Sequence, residues 1–324
     1  MKIFLVVLLI VTLLFLTSCM TTPEDENSKW GFWGFWSWWW NRPKPPIIPV
    51  PPVPPKPEPV KWSGLGMGLY WDDIDPYIDT LLDKGFTELR LDIPDYTNSA
   101  WITASKAAVI RAVNKGADVI WGVSSNPTII TSTSWPAFRQ AILNAATWAQ
   151  ANGVYEFQIG NEEEWHVDGT TMTVAQIITN LKSVATDVQA IFTRGNVSYS
   201  SGNEANTWHS VGMGDVDLLA FNIYMGADGE YTDWWKSNID NIVSRLGADK
   251  VYVTEFNPSS SSIDDYSTDE AVQAAGVTEM INYIKAKGIT RAMFYCWKGD
   301  AFGVIKDNGT YRLLWDQALL NTGN

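Results

Sequence analysis

Three observations predict an α/β fold, a (β/α)8 TIM barrel over residues 62–324. Helical patterns end in glycine and hand over to apolar strands six times. The helices carry an apolar face at the α-helical period, and eight such units fit the length, about 250 residues being typical of the fold.

The first strand is expected at Gly64–Tyr70, ahead of a helix whose Ile74, Tyr77, Ile78, Leu81 and Leu82 lie on one face. The junctions follow in order. Lys84-Gly85 precedes Thr87–Leu91, Lys115-Gly116 precedes Asp118–Trp121, and Asn152-Gly153 precedes Tyr155–Ile159. Arg194-Gly195 precedes Val197–Tyr199, Leu246-Gly247 precedes Val251–Val253, and Lys287-Gly288 precedes Ala292–Tyr295. Glycine suits the left-handed position that closes a helix, and a basic neighbour complements the negative end of the helix dipole. Asp217–Ile223 completes eight strands. Two further helices show the same face, Ile177, Leu181, Val184, Val188 and Ile191, then Val277, Met280, Ile281 and Ile284. Strands alternating with helices pair in parallel through right-handed crossovers. An open doubly wound sheet is disfavoured because no glycine-rich phosphate loop follows the first strand.

The residues before the barrel have another character. Residues 1–19 read as a lipoprotein signal peptide: Lys2, then an apolar run from Ile3 to Leu16, then Leu16-Thr17-Ser18-Cys19. Fourteen helical residues rise roughly 21 Å, too short for a hydrocarbon core of about 30 Å. The last four resemble a lipobox, which makes Cys19 the expected site of lipidation. Residues 20–61 form an expected linker. Six tryptophans fall between Trp30 and Trp40, an aromatic segment suited to a membrane–water interface. Ten prolines between Pro43 and Pro59 suit a semi-rigid polyproline II stalk. The expected location is the cell envelope, lipid-anchored and extracytoplasmic, with a monomeric barrel.

Composition narrows function. A net charge of −13 argues against a nucleic-acid partner. Two cysteines and two histidines in 324 residues leave little for a thiolate or histidine metal centre, so no metal and no cofactor is expected.

Chemistry in a barrel of this kind gathers at the C-terminal ends of the strands. Gly160-Asn161-Glu162 ends the fourth strand and Thr254-Glu255-Phe256 the seventh. Two carboxylic acids facing one mouth are what glycosidic bond cleavage requires, one to protonate the leaving oxygen and one to attack the anomeric carbon or activate water. Glu163 and Glu164 read as loop charges or subsite contacts. Trp71 and Trp165 are candidate platforms for sugar rings, as are Tyr96, Trp234 and Trp235.

Ile159-Gly160-Asn161-Glu162 on strand four, with Val253-Thr254-Glu255-Phe256 on strand seven, resembles the retaining (β/α)8 glycoside hydrolases of clan GH-A, across roughly residues 62–324. The resemblance implies Glu162 as general acid/base and Glu255 as nucleophile, with a carbohydrate as substrate. It also implies that Asn161 binds the sugar 2-hydroxyl and that Arg90 and Tyr224 hydrogen-bond the nucleophile. Trp297 would form the floor of the sugar subsite. Asn222-Ile223-Tyr224 stands where the cellulase-like branch usually carries His-x-Tyr on strand six, and Asn222 is a further candidate contact to substrate. Glu163-Glu164-Trp165 stands where many clan members continue with proline. A carbohydrate-binding pseudoenzyme or surface adhesin on the same barrel is the alternative.

Overall fold

A computed structural model describes residues 64–70, 74–202, 208, 212–225, 234–258, 269–299 and 303–320. Cys19, the Trp- and Pro-rich linker and Trp71 lie outside them.

Eight parallel strands close on themselves in chain order. They are β1 (Leu65–Leu69), β2 (Glu88–Leu91), β3 (Asp118–Gly122), β4 (Glu156–Asn161), β5 (Val197–Ser201), β6 (Leu218–Tyr224), β7 (Val251–Asn257) and β8 (Ala292–Phe294). Leu65 pairs with Ala292 to shut the barrel. The α-helices among the described residues are α1 (Ile74–Asp83), α2 (Ser99–Asn114), α3 (Trp135–Ala151), α4 (Val174–Ile191), α5 (Trp234–Leu246) and α6 (Glu270–Ala286). The expected (β/α)8 architecture is the one observed.

Local chemistry sets the helix ends. Asn98 accepts from the Trp101 amide to start α2, Thr173 and Gln176 form a reciprocal capping box on α4, and Asp269 accepts from Ala271 and Val272 to start α6. Five of the six junction glycines, at positions 85, 116, 153, 247 and 288, have φ between 77° and 92°, as a helix-closing residue requires. Gly195 departs from that expectation. It is not among the positive-φ glycines, and a Cβ there would lie 1.9 Å from the Tyr155 carbonyl oxygen, so close backbone approach is what demands glycine.

Side chains alternate along each strand between the helical layer and the interior. Leu89, Val119, Phe157 and Val253 belong to the apolar core between sheet and helices. The interior is polar, as contacts between strands that are not neighbours reveal. Arg90 on β2 reaches Gln158 on β4 and Glu255 on β7, and Tyr252 on β7 reaches Glu156 on β4. Near the mouth the ladder slips, between Gln158 and Asn161 on β4, at Phe221/Asn222 on β6, and between Val253 and Phe256 on β7. Such irregularities re-aim side chains, and they fall beside Asn161, Asn222 and Glu255.

Candidate active site

β7 runs through to Asn257, so Glu255 is a strand residue and not a loop residue, and it is only 9% exposed. Arg90 Nη1 donates to its Oε1 at 2.7 Å, and the Tyr224 hydroxyl donates to its Oε2 at 2.5 Å. Both carboxylate oxygens are thus held, one by a cation. The other donors of Arg90 go to amides, Nε to Gln158 Oε1 at 3.0 Å and Nη2 to Asn161 Oδ1 at 2.9 Å.

Glu162 sits one residue past β4, half-buried, at φ 57° and ψ 31°. It is the one non-glycine residue with positive φ among the described residues. Its amide donates to the Ser200 carbonyl at 2.8 Å, and its Oε1 accepts from Asn222 Nδ2 at 2.9 Å. Asn222 also lies 3.4 Å from Asn161 Oδ1. A continuous chain of contacts therefore runs from Glu255 through Arg90, Asn161 and Asn222 to Glu162, across one mouth.

The two acids differ in what compensates them. Burial, followed by the charge of Glu255, pushes Glu162 up to about 8, opposed by the Asn222 hydrogen bond and the more distant Arg90. Burial also lifts the Tyr224 hydroxyl well above its ordinary range, which keeps it a donor to Glu255. Near neutral pH the arrangement offers a protonated carboxyl at Glu162, across the mouth from a Glu255 oxygen in contact with a guanidinium.

The structure gathers Arg90, Asn161, Glu162, Asn222, Tyr224 and Glu255 as expected, and Trp165 beside them. Trp165 is 51% exposed. A Cβ built on Gly202 would meet both its ring, at 3.0 Å, and Glu162 Oε1, at 3.3 Å, so the indole flanks the acid.

Three expectations are corrected. Trp297 is fully buried, packed edge-on against Tyr77, Tyr311 and Trp315, so no sugar face can reach it. Two residues earlier, Tyr295 is part-exposed and its hydroxyl meets that of Tyr70 at 2.5 Å. Its electrostatic neighbours include Asp92 and Glu255, which makes Tyr295 the β8 aromatic of the mouth. Trp235 is also fully buried, against Tyr283, and Tyr96 packs on Phe138. Glu163 and Glu164 are not solvated loop charges but buried carboxyls, 0% and 3% exposed. Sequence reasoning missed Gln158 and Tyr295. The alternation of β4 could have found Gln158, since Glu156 and Gln158 alternate with the apolar Phe157 and Ile159 and so share the inward face.

No protein-family model and no curated sequence matches the chain. Solved structures do. The exo-β-1,4-mannosidase Op5Man5 from Opitutaceae bacterium strain TAV5 superposes with a TM-score of 0.62 at 11% identity, covering 79% of this chain and 58% of that one. PbGH5A, a glycoside hydrolase family 5 enzyme from Prevotella bryantii B14, gives 0.58 at 16% identity, covering 82% and 97%. A family 17 β-1,3-glucanosyltransferase from Rhizomucor miehei gives 0.57 at 14%, covering 80% and 98%. The chain spans little more than half the length of the mannosidase it matches. The similarity is one of fold, the (β/α)8 barrel of these glycoside hydrolases.

Proposed function

We propose that this protein is a retaining glycoside hydrolase acting by double displacement. The observation that carries the proposal is the unequal treatment of two carboxyls in one mouth, with Arg90 and Tyr224 on Glu255 and, among the described residues, no cation in hydrogen-bond contact with Glu162. In the first step a Glu255 oxygen attacks the anomeric carbon while Glu162 gives its proton to the departing glycosidic oxygen. The Arg90 contact orients the attacking carboxylate. In the second step Glu162, now ionised, takes a proton from water, which displaces Glu255 and regenerates both groups. Asn161, its amide oxygen held by Arg90, presents its nitrogen as a donor to a sugar hydroxyl. Tyr295, with Glu255 among its electrostatic neighbours, and Trp165, beside Glu162, supply aromatic surface for the sugar rings. That the structures similar to this chain include glycoside hydrolases supports the reading.

A 2-fluoro glycoside, which slows release of the intermediate, is expected to add one glycosyl unit to the protein, on Glu255 by peptide mapping. Labelling elsewhere, or saccharide binding with no turnover across a panel of β-glucans, mannans, xylans and galactans, overturns the proposal and favours a carbohydrate-binding pseudoenzyme or adhesin. The pH profile is expected to be bell-shaped, with an alkaline limb near 8 that vanishes in Glu162→Ala. We further propose lipidation at Cys19 and anchoring in the cell envelope. Loss of radiolabelled palmitate incorporation in Cys19→Ala tests this.

A further inference from the structure

Glu163 and Glu164 take no part in the two-carboxylate chemistry, yet both are buried at its edge. Glu163 accepts from the Ser125 amide at 3.1 Å and from the Ser125 hydroxyl, just past β3, and from the Asn161 amide at 3.1 Å. Glu164 accepts from Ser201 Oγ at 2.6 Å and the Gly202 amide at 2.7 Å, at the end of β5, and from the Tyr199 hydroxyl. The Tyr199 oxygen in turn accepts from the Glu163 amide at 2.8 Å, which ties the two arms together. β3 and β5 are the two neighbours of β4, on whose end Glu162 stands.

The backbone makes room for this arrangement. A Cβ on Gly160 would come within 2.7 Å of Glu163 Cγ, and one on Gly202 within 3.3 Å of Glu162 Oε1. Between the two arms Glu162 is held in a left-handed conformation, which is strained for an L-residue and persists only where surrounding contacts over-determine it.

Building on the proposed acid/base role of Glu162, we infer that Glu163 and Glu164 are positioning residues: a two-armed carboxylate clamp, one arm on β3 and one on β5, that holds the Glu162 turn so that its carboxyl meets the leaving-group oxygen. Burial pushes the Glu163 carboxyl up to about 8 and lifts Glu164 as well, while the N–H and O–H donors converging on each oppose that rise and favour the ionised form, which accepts from all of them. A glutamine turns an NH2 group toward some of those donors, and the arm loosens. Misplacing a catalytic group by about 1 Å can cost on the order of 100-fold. The groups acting on Glu162 are Glu255 on β7, Glu164 on its own turn, Arg90 on β2 and Asn222 on β6. Glu164 raises its pKa, so Glu164→Gln also lowers the alkaline limit of activity.

The test compares 2,4-dinitrophenyl and phenyl glycosides of one sugar, using the full chain. Dinitrophenolate departs without a proton, whereas phenolate needs the acid. Glu163→Gln and Glu164→Gln are each expected to lower kcat/KM for the phenyl glycoside roughly 10- to 100-fold and for the dinitrophenyl glycoside less than about 3-fold. Ser125→Ala and Ser201→Ala, which each remove one donor from the opposite side of the clamp, are expected to show the same split at smaller size and keep the test valid if a buried glutamine prevents folding. Equal losses on both substrates, or no loss on either, overturn the clamp. The control is Glu162→Ala. A split there without one in the clamp variants sinks the clamp alone. No split in Glu162→Ala, or no hydrolysis of either substrate by the wild-type chain, sinks the acid/base reading and the clamp with it.

Discussion

Each end of the barrel buries an arginine among carboxylates, and the two ends treat that arginine in opposite ways. At the bottom, Arg291 ahead of β8 donates to Glu88 at 3.1 Å and to Glu156 at 2.8 Å, from the first residues of β2 and β4. The same guanidinium lies 4.4 Å from the centre of the Tyr252 ring, whose hydroxyl donates to Glu156. One cation serves both acids there. At the mouth, among the described residues, Arg90 pairs with one carboxylate, Glu255, and gives other donors to the amides of Gln158 and Asn161, while Glu162 accepts from a neutral partner, Asn222. The bottom is arranged to close the barrel. The mouth leaves Glu162, and beside it the buried Glu163 and Glu164, with neutral hydrogen-bond partners, a stability cost of the kind active sites carry.

That contrast can be broken most decisively at Glu255. Glu255→Gln is expected to lower kcat on an aryl glycoside by roughly 10^4- to 10^6-fold, the scale of losing a nucleophile, while the chain stays folded. Activity within tenfold of wild type would erase the distinction between the ends.

Arg291→Met probes the other end. It strands Glu156, whose side chain is wholly buried, and is expected to cost about 3–5 kcal/mol in urea unfolding, with kcat at 20 °C unchanged. A parallel loss of kcat in the folded fraction would mean that the two ends act as one unit.

A finer test concerns Glu162 and stability. Its folded-state value of about 8 lies above the ordinary 4.5, so the native state favours the protonated form. The native state is therefore penalised progressively as pH rises from 4.5 to about 8, and not below that window. Glu162→Gln removes the penalty. Its Tm is expected to match wild type near pH 4.5 and to exceed it by on the order of 5 °C at pH 8. A gain of constant size across that range would show that desolvation of the charge is not its origin.

The smallest effect is expected at the rim. Trp165→Ala is expected to raise KM several-fold, about 1 kcal/mol of lost stacking, with kcat little changed. Stability should hold, because half of this side chain already faces solvent.

Much of this was legible in the chain. The glycine junctions placed six strands, and the acids at the ends of strands four and seven do share one mouth. Elsewhere local pattern misled. Trp297 and Tyr295 both follow the last strand residues of β8, and nothing local distinguishes the one that turns into the core from the one that faces the mouth. Glu163-Glu164 reads as a pair of loop charges, because the donors that bury it come from Ser125 and Ser201, 38 and 37 residues away. Gly195 looked like its five counterparts until the Tyr155 carbonyl occupied the space beside it.

Periodicity, capping and helix-closing glycines act over a few residues, so the sequence by itself determined the order of strands and helices, the closed parallel topology and the strand ends that carry acid. Which acid has a cation, which is forced toward neutrality and which merely braces its neighbour was decided by the tertiary structure alone. Charge compensation and desolvation depend on distances between groups that only closure of the barrel brings together, as Arg90 and Glu255 show, 165 positions apart in the chain and 2.7 Å apart in space.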